Sequence, residues 1–224
     1  MWGLRRGYAK RFLLPLALFG LVGLGSVAFH GTLLYAGQAL DELPMIYAAT
    51  ALLFSVVETK RTIARAWLAP ALVLYCAAFT AAYVLSPDLF VYFLLTYIAL
   101  ILAIFFGSID YYRRIKHEGV KRLLWLAALF YLGGFFVFWM PDKLACAAVQ
   151  RYQFHALFHL TSSIGPWMLL MHVIFAYHAL VVEADAPPKT RARRAAAAAA
   201  PGEPTLIYIG SVLPVVDLAQ PKAE

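Results

Sequence analysis

Ser26, His30, Asp41, His155 and His159 are the residues of this chain whose types and spacing could do chemistry. Ser26 and His30 stand four apart, as do His155 and His159, and that interval puts both members of a pair on one face of a helix. A histidine pair at this spacing is how one helix offers two imidazoles to a single zinc ion. With His30 added, three neutral imidazoles fill three positions of a tetrahedral zinc site. The fourth is left for water, whose pKa such an ion lowers to about 7. Asp41, eleven residues after His30, would accept a proton from that water and return it to a leaving amine. The Ser26 hydroxyl would hydrogen-bond the oxyanion or the attacking water. The set suits attack of water on an amide carbonyl.

The elements that must position these residues are membrane helices. At 224 residues, 63% hydrophobic and 14% charged, with a mean hydropathy of +0.74, the chain is more apolar than a soluble domain of its length needs for a core. Six apolar segments, about 12–33, 42–58, 67–85, 88–107, 122–140 and 155–182, approach or exceed the ~20 residues that a helix needs to cross a bilayer. Breaks are expected at Asp41 to Pro44, at Glu58 to Arg65, at Ser86 and Pro87, at Ser108 to Arg122 and at Pro141 to Lys143. Three regions follow: a basic cytosolic N-terminus over 1–11, a transmembrane domain over 12–182, and a low-complexity cytosolic tail over 183–224. The tail is read as mostly disordered, with the apolar run 206–216 too short to span.

Charge orients the spans. Arg5, Arg6, Lys10 and Arg11, then Lys60, Arg61 and Arg65, then Arg113, Arg114, Lys116, Lys121 and Arg122, then Lys189 to Arg194, fall on one side if every segment crosses, and that side is the cytosol. The same clustering beside apolar runs accounts for the net charge of +7 and excludes a nucleic-acid partner as its cause. His30 then lies roughly 27 Å of helix rise from the cytosolic start of the first span. Asp41 begins the second span, and His155 and His159 begin the sixth. All four reach the luminal end. His172 and His178 lie further toward the cytosol and His117 lies in a charged loop, so none of these three is a candidate ligand.

Each residue also has a plainer role open to it. A lone histidine in a membrane helix is more often a polar group satisfied by its neighbours than a ligand. Ser26 follows Gly25 in a run of small residues that suits close helix packing, and Asp41 ahead of a span suits an N-cap. The aromatics near 105 and 135–139 suit lipid-facing or packing positions.

The order S-x-x-x-H at Ser26 to His30, Asp41 in LDELP, F-W-x-x-D-x-x-x-C at Phe138, Trp139, Asp142 and Cys146, and H-x-x-x-H at His155 and His159 resembles the alkaline ceramidase family. The resemblance covers about 12–182. It implies an all-α polytopic helical bundle, six transmembrane helices here of a seven-helix family fold. It also implies zinc held by His30, His155 and His159, with Ser26 and Asp41 catalytic. The implied reaction is hydrolysis of ceramide to a sphingoid base and a fatty acid, in the endoplasmic reticulum or Golgi membrane with the site near the luminal side. The family's first helix carries an acidic calcium-binding cluster, and here about ten residues precede the span that matches the family's second, which leaves six spans with both ends cytosolic. Cys146 resembles the family cysteine that pairs with one in that N-terminal segment, while Cys76 lies inside the third span. Two other readings stay open: a zinc-containing receptor of the progestin and adiponectin receptor group, which shares the Ser, Asp and three-His set, and an inactive truncated ceramidase paralogue. LDELP and F-W-x-x-D-x-x-x-C favour the hydrolase.

Overall fold

The structure, a computed structural model, describes residues 8–59, 67–86, 90–182, 204–209 and 213–218. Outside them lie Arg5, Arg6, the basic connection holding Lys60, Arg61 and Arg65, the connection holding Asp88, and Lys189 to Arg194. Among the described residues, six helical stretches are long and apolar enough to cross a membrane: Lys10–Thr32, Tyr35–Glu58, Leu68–Leu85, Phe90–Arg114, Glu118–Tyr152 and Phe154–Leu180. The chain is an all-α polytopic membrane protein, with one β-hairpin among the described residues. Large apolar side chains such as Leu24, Val27, Val73 and Leu129 stand exposed, as surface solvated by lipid tails would be. Two compact units divide the chain, Met1–Gly107 and Ser108–Glu224.

In the first unit α1 (Leu13–Thr32) packs along α2 (Tyr35–Thr59), and α3 (Leu68–Leu85) lies against α2. Helix α1 ends at Leu33, whose left-handed backbone (φ 55°) lets its N–H close on the Phe29 carbonyl at 2.6 Å. Two glycines, one on each helix, set the α1–α2 distance. A Cβ on Gly37 would stand 2.8 Å from the Phe29 Cα, and one on Gly25 would stand 2.0 Å from the Leu40 carbonyl oxygen. That carbonyl belongs to the residue four before Pro44, which has no N–H to give it.

The expected break at Asp41 to Pro44 is therefore corrected: α2 starts at Tyr35, runs through Pro44 without interruption, and holds Asp41 in its second turn. The turn is made earlier, by Leu33 and Leu34, and a proline inside a membrane helix is tolerated when its surroundings accommodate the freed carbonyl. An N-cap role for Asp41 falls with that correction.

Helices α2 and α3 are joined by buried polar groups. Tyr83 donates to Glu42 Oε2 at 2.6 Å, Gln38 donates to Glu42 Oε1 at 2.9 Å, and the Tyr47 and Thr80 hydroxyls pair at 2.5 Å. Leu43, Ile46 and Tyr83 close around Phe93 of α4 (Phe90–Arg114) to make the apolar core.

In the second unit α5 (Glu118–Gly133) packs against α7 (Phe154–Tyr177). Gly165 of α7 meets the Tyr131 ring and the Ala127 carbonyl, and Gly134 meets the Thr161 side chain. Deeper along the pair, the buried His172 donates from Nδ1 to the Val120 carbonyl at 2.9 Å. The fifth stretch does not break at Pro141 to Lys143 as expected. It passes from α5 through a π-helical segment, Gly134–Trp139, into α6 (Met140–Val149). The helix type changes just ahead of Pro141, and the wider π-helical turns before it accommodate the carbonyl that the proline cannot bond.

Within the tail, β1 (Pro204–Ile209) and β2 (Leu213–Leu218) form an antiparallel hairpin in the register Ile207 to Val215. Composition had suggested no regular structure there. The hairpin gains its order from burial: Val215 and Val216 are fully buried, and Trp167 of α7 donates from Nε1 to the Pro214 carbonyl at 2.9 Å.

Candidate active site

In the first unit, Ser26 and His30 follow one another on α1 one turn apart, as their spacing required. The His30 ring lies 5.0 Å from that of Phe29 and is exposed. Ser26 hydrogen-bonds the Asp41 carboxylate across the α1–α2 contact. This pairing follows from the backbone: Gly25, next to Ser26, allows the approach to Leu40, next to Asp41. Asp41 is 8% exposed, so its carboxylate is held inside the protein on a short, fixed leash rather than out in solvent.

In the second unit the chain enters α7 through Gln153, whose left-handed backbone (φ 54°) and side-chain bond to the Gln150 carbonyl fix where the helix begins. His155 and His159 occupy its first two turns with ring centroids 4.8 Å apart, crossing at 70°. Phe158 lies against both rings, and Trp139 and Phe138 stack toward Phe158 and Phe154 to form an aromatic wall beside them. The Asp142 carboxylate stands 3.1 Å from His155 Nδ1.

Within the second unit His155 and His159 set two imidazoles side by side on one helix face, a pair that could hold a metal ion; His30, exposed at the end of α1, stands in the first unit. The donors fit zinc: paired imidazole nitrogens suit it better than magnesium or calcium, which take oxygen. Elsewhere in the second unit His172 donates to the Val120 carbonyl, and His117 accepts from the Val120 N–H at the start of α5. Two acidic residues quoted within motifs carried no assigned role. Glu42, 6% exposed, is tied to Tyr83 forty-one positions on, and Asp142 to His155 thirteen positions on. The only trace of either in the sequence is an acid in an apolar run, which does not say what it faces.

A family model described as Ceramidase matches residues 1–195. Alkaline ceramidase 3 of Mus musculus is 26% identical over 204 residues, covering 84% of this chain and 74% of its own length. Alkaline ceramidase of Arabidopsis thaliana is 24% identical over 226 residues, covering 99% of this chain and 80% of its own. Alkaline ceramidase YPC1 of Saccharomyces cerevisiae is 54% identical over a shorter stretch of 55 residues, 24% of this chain and 17% of its own.

Proposed function

Because the chain belongs to the Ceramidase family, we propose that it is a zinc-dependent hydrolase of the ceramide amide bond, acting within an endoplasmic reticulum or Golgi membrane near the luminal side. The observation that carries this reading is the pairing of His155 with His159 on one helix face in a chain of that family, with His30 proposed as the third imidazole. Zinc at those imidazoles would act as a Lewis acid and make water nucleophilic at neutral pH.

The chain's own residues supply the rest. The oxygen of water bonds to the amide carbon, and Asp41 takes the proton it loses. The C–N bond then breaks as Asp41 passes that proton to the amine nitrogen, giving a sphingoid base and a fatty acid. Ser26, one hydrogen bond from Asp41, holds the carboxylate in place and can turn its O–H to the oxyanion as charge builds. Keeping Asp41 buried holds bulk water from competing for its proton. The aromatic side chains beside His155 and His159 offer an apolar wall against which acyl or sphingoid chains can lie.

Incubating the purified protein with a defined ceramide and quantifying free sphingoid base and fatty acid tests the reading. Equal amounts of both products are expected. Neither product from a folded, zinc-loaded protein would reject it.

A further inference from the structure

We propose that Asp142 is a positioning residue that fixes the tautomer and the orientation of His155, so that His155 meets its metal through Nε2. This rests on the reading of His155 as a zinc ligand. A neutral imidazole has one nitrogen bearing hydrogen and one with a free lone pair, and only the second can ligate. Which is which depends on what the other nitrogen faces. His155 Nδ1 faces Asp142 Oδ2 at 3.1 Å, and an ionised carboxylate accepts hydrogen bonds but cannot donate them. The proton therefore sits on Nδ1, and Nε2 carries the lone pair. The same contact stops the ring from turning about its χ2 axis and makes the imidazole a stronger donor.

The local chain is built to make this contact. Pro141 and Asp142 stand at the start of α6, directly after the π-helical segment Gly134–Trp139. Helix α6 is bent at Ala145 (φ −141°, ψ 38°), and a tight 3-10 turn at Gln150–Tyr152 with the left-handed Gln153 returns the chain into α7. Thirteen positions after Asp142, His155 comes back beside it. The carboxylate is 16% exposed and the imidazole 35%, so water competes weakly for the carboxylate side of the pair.

The test is zinc affinity, read by chelator competition on the full chain in lipid nanodiscs, for the natural protein, Asp142→Asn and Asp142→Ala. The natural protein is expected to hold one zinc. Asp142→Ala should weaken binding about 10- to 100-fold, the cost of losing such an outer partner. Asp142→Asn should fall between, since the amide oxygen still accepts from Nδ1–H but brings no charge. Asn keeps the side chain's size, so it carries the test even where Ala fails to fold. If Asp142 only favours the start of α6, the Asn variant binds zinc as tightly as the natural protein, and the proposal is overturned while the hydrolase reading stands. A natural protein that binds no zinc overturns both.

Discussion

Ser26 and Asp41 meet because two residues beside them allow it, Gly25 by having no side chain and Leu40 by presenting a carbonyl that Pro44 cannot bond. Asp41→Asn keeps the size and much of the hydrogen bonding but removes the proton acceptor, so turnover should fall by at least ~100-fold while zinc content is unchanged. Product release assays paired with elemental analysis check both halves, and near-normal turnover would return Asp41 to a structural role. Gly25→Ala places a methyl where the Leu40 oxygen stands, 2.0 Å away. Helices α1 and α2 must then separate, which should cost on the order of 1–3 kcal/mol and lower activity together with thermal stability. The candidate site residues were legible in the sequence because serine, histidine and aspartate are rare in apolar segments and their helical spacing is local information. Glu42 and Asp142 were not given roles, because their meaning lies in Tyr83 and His155, and only the folded chain brings those partners alongside.

Six spans could be read from apolar runs, and their middles are where they were expected; their ends are not. Proline was read as a stop at 44 and at 141, yet it is carried inside α2 and in the first turn of α6. Both cases reflect a surrounding that costs the helix little: a neighbouring glycine that admits the freed carbonyl at Pro44, and a π-helical segment ahead of Pro141. The tail misled in the opposite sense. Its composition is that of a disordered segment, but an apolar stretch within it pairs as β1 and β2 and packs on α7. Removing residues from 183 onward should therefore uncover the face of α7 around Trp167 and lower the thermal midpoint. Each kcal/mol lost should lower it by roughly 2–4 °C in a chain of this size. The candidate active residues are not on the hairpin, so specific activity of the protein that remains folded should be retained. Thermal scans and ceramide hydrolysis on the truncated chain check the two statements separately, and an unchanged midpoint would show that the hairpin contributes nothing.

For the whole molecule, the proposed orientation rests on charge: basic residues crowd alternate connections, which the positive-inside rule would put in the cytosol. Cys146, exposed in α6 near the end of the fifth stretch, would then lie toward the luminal side. In sealed vesicles with the cytosolic face outward, an impermeant thiol reagent should label Cys146 only after the membrane is opened, and labelling of intact vesicles would reverse the assigned orientation. The central claim is that three imidazoles and a buried carboxylate make this membrane protein a zinc hydrolase of ceramide. It is tested most directly by stripping the metal from the purified protein and following ceramide hydrolysis as zinc is returned. Activity should be absent without metal and rise in proportion to bound zinc until one ion is held per chain. Full hydrolysis by the stripped protein, or none by the fully loaded one, would contradict the account.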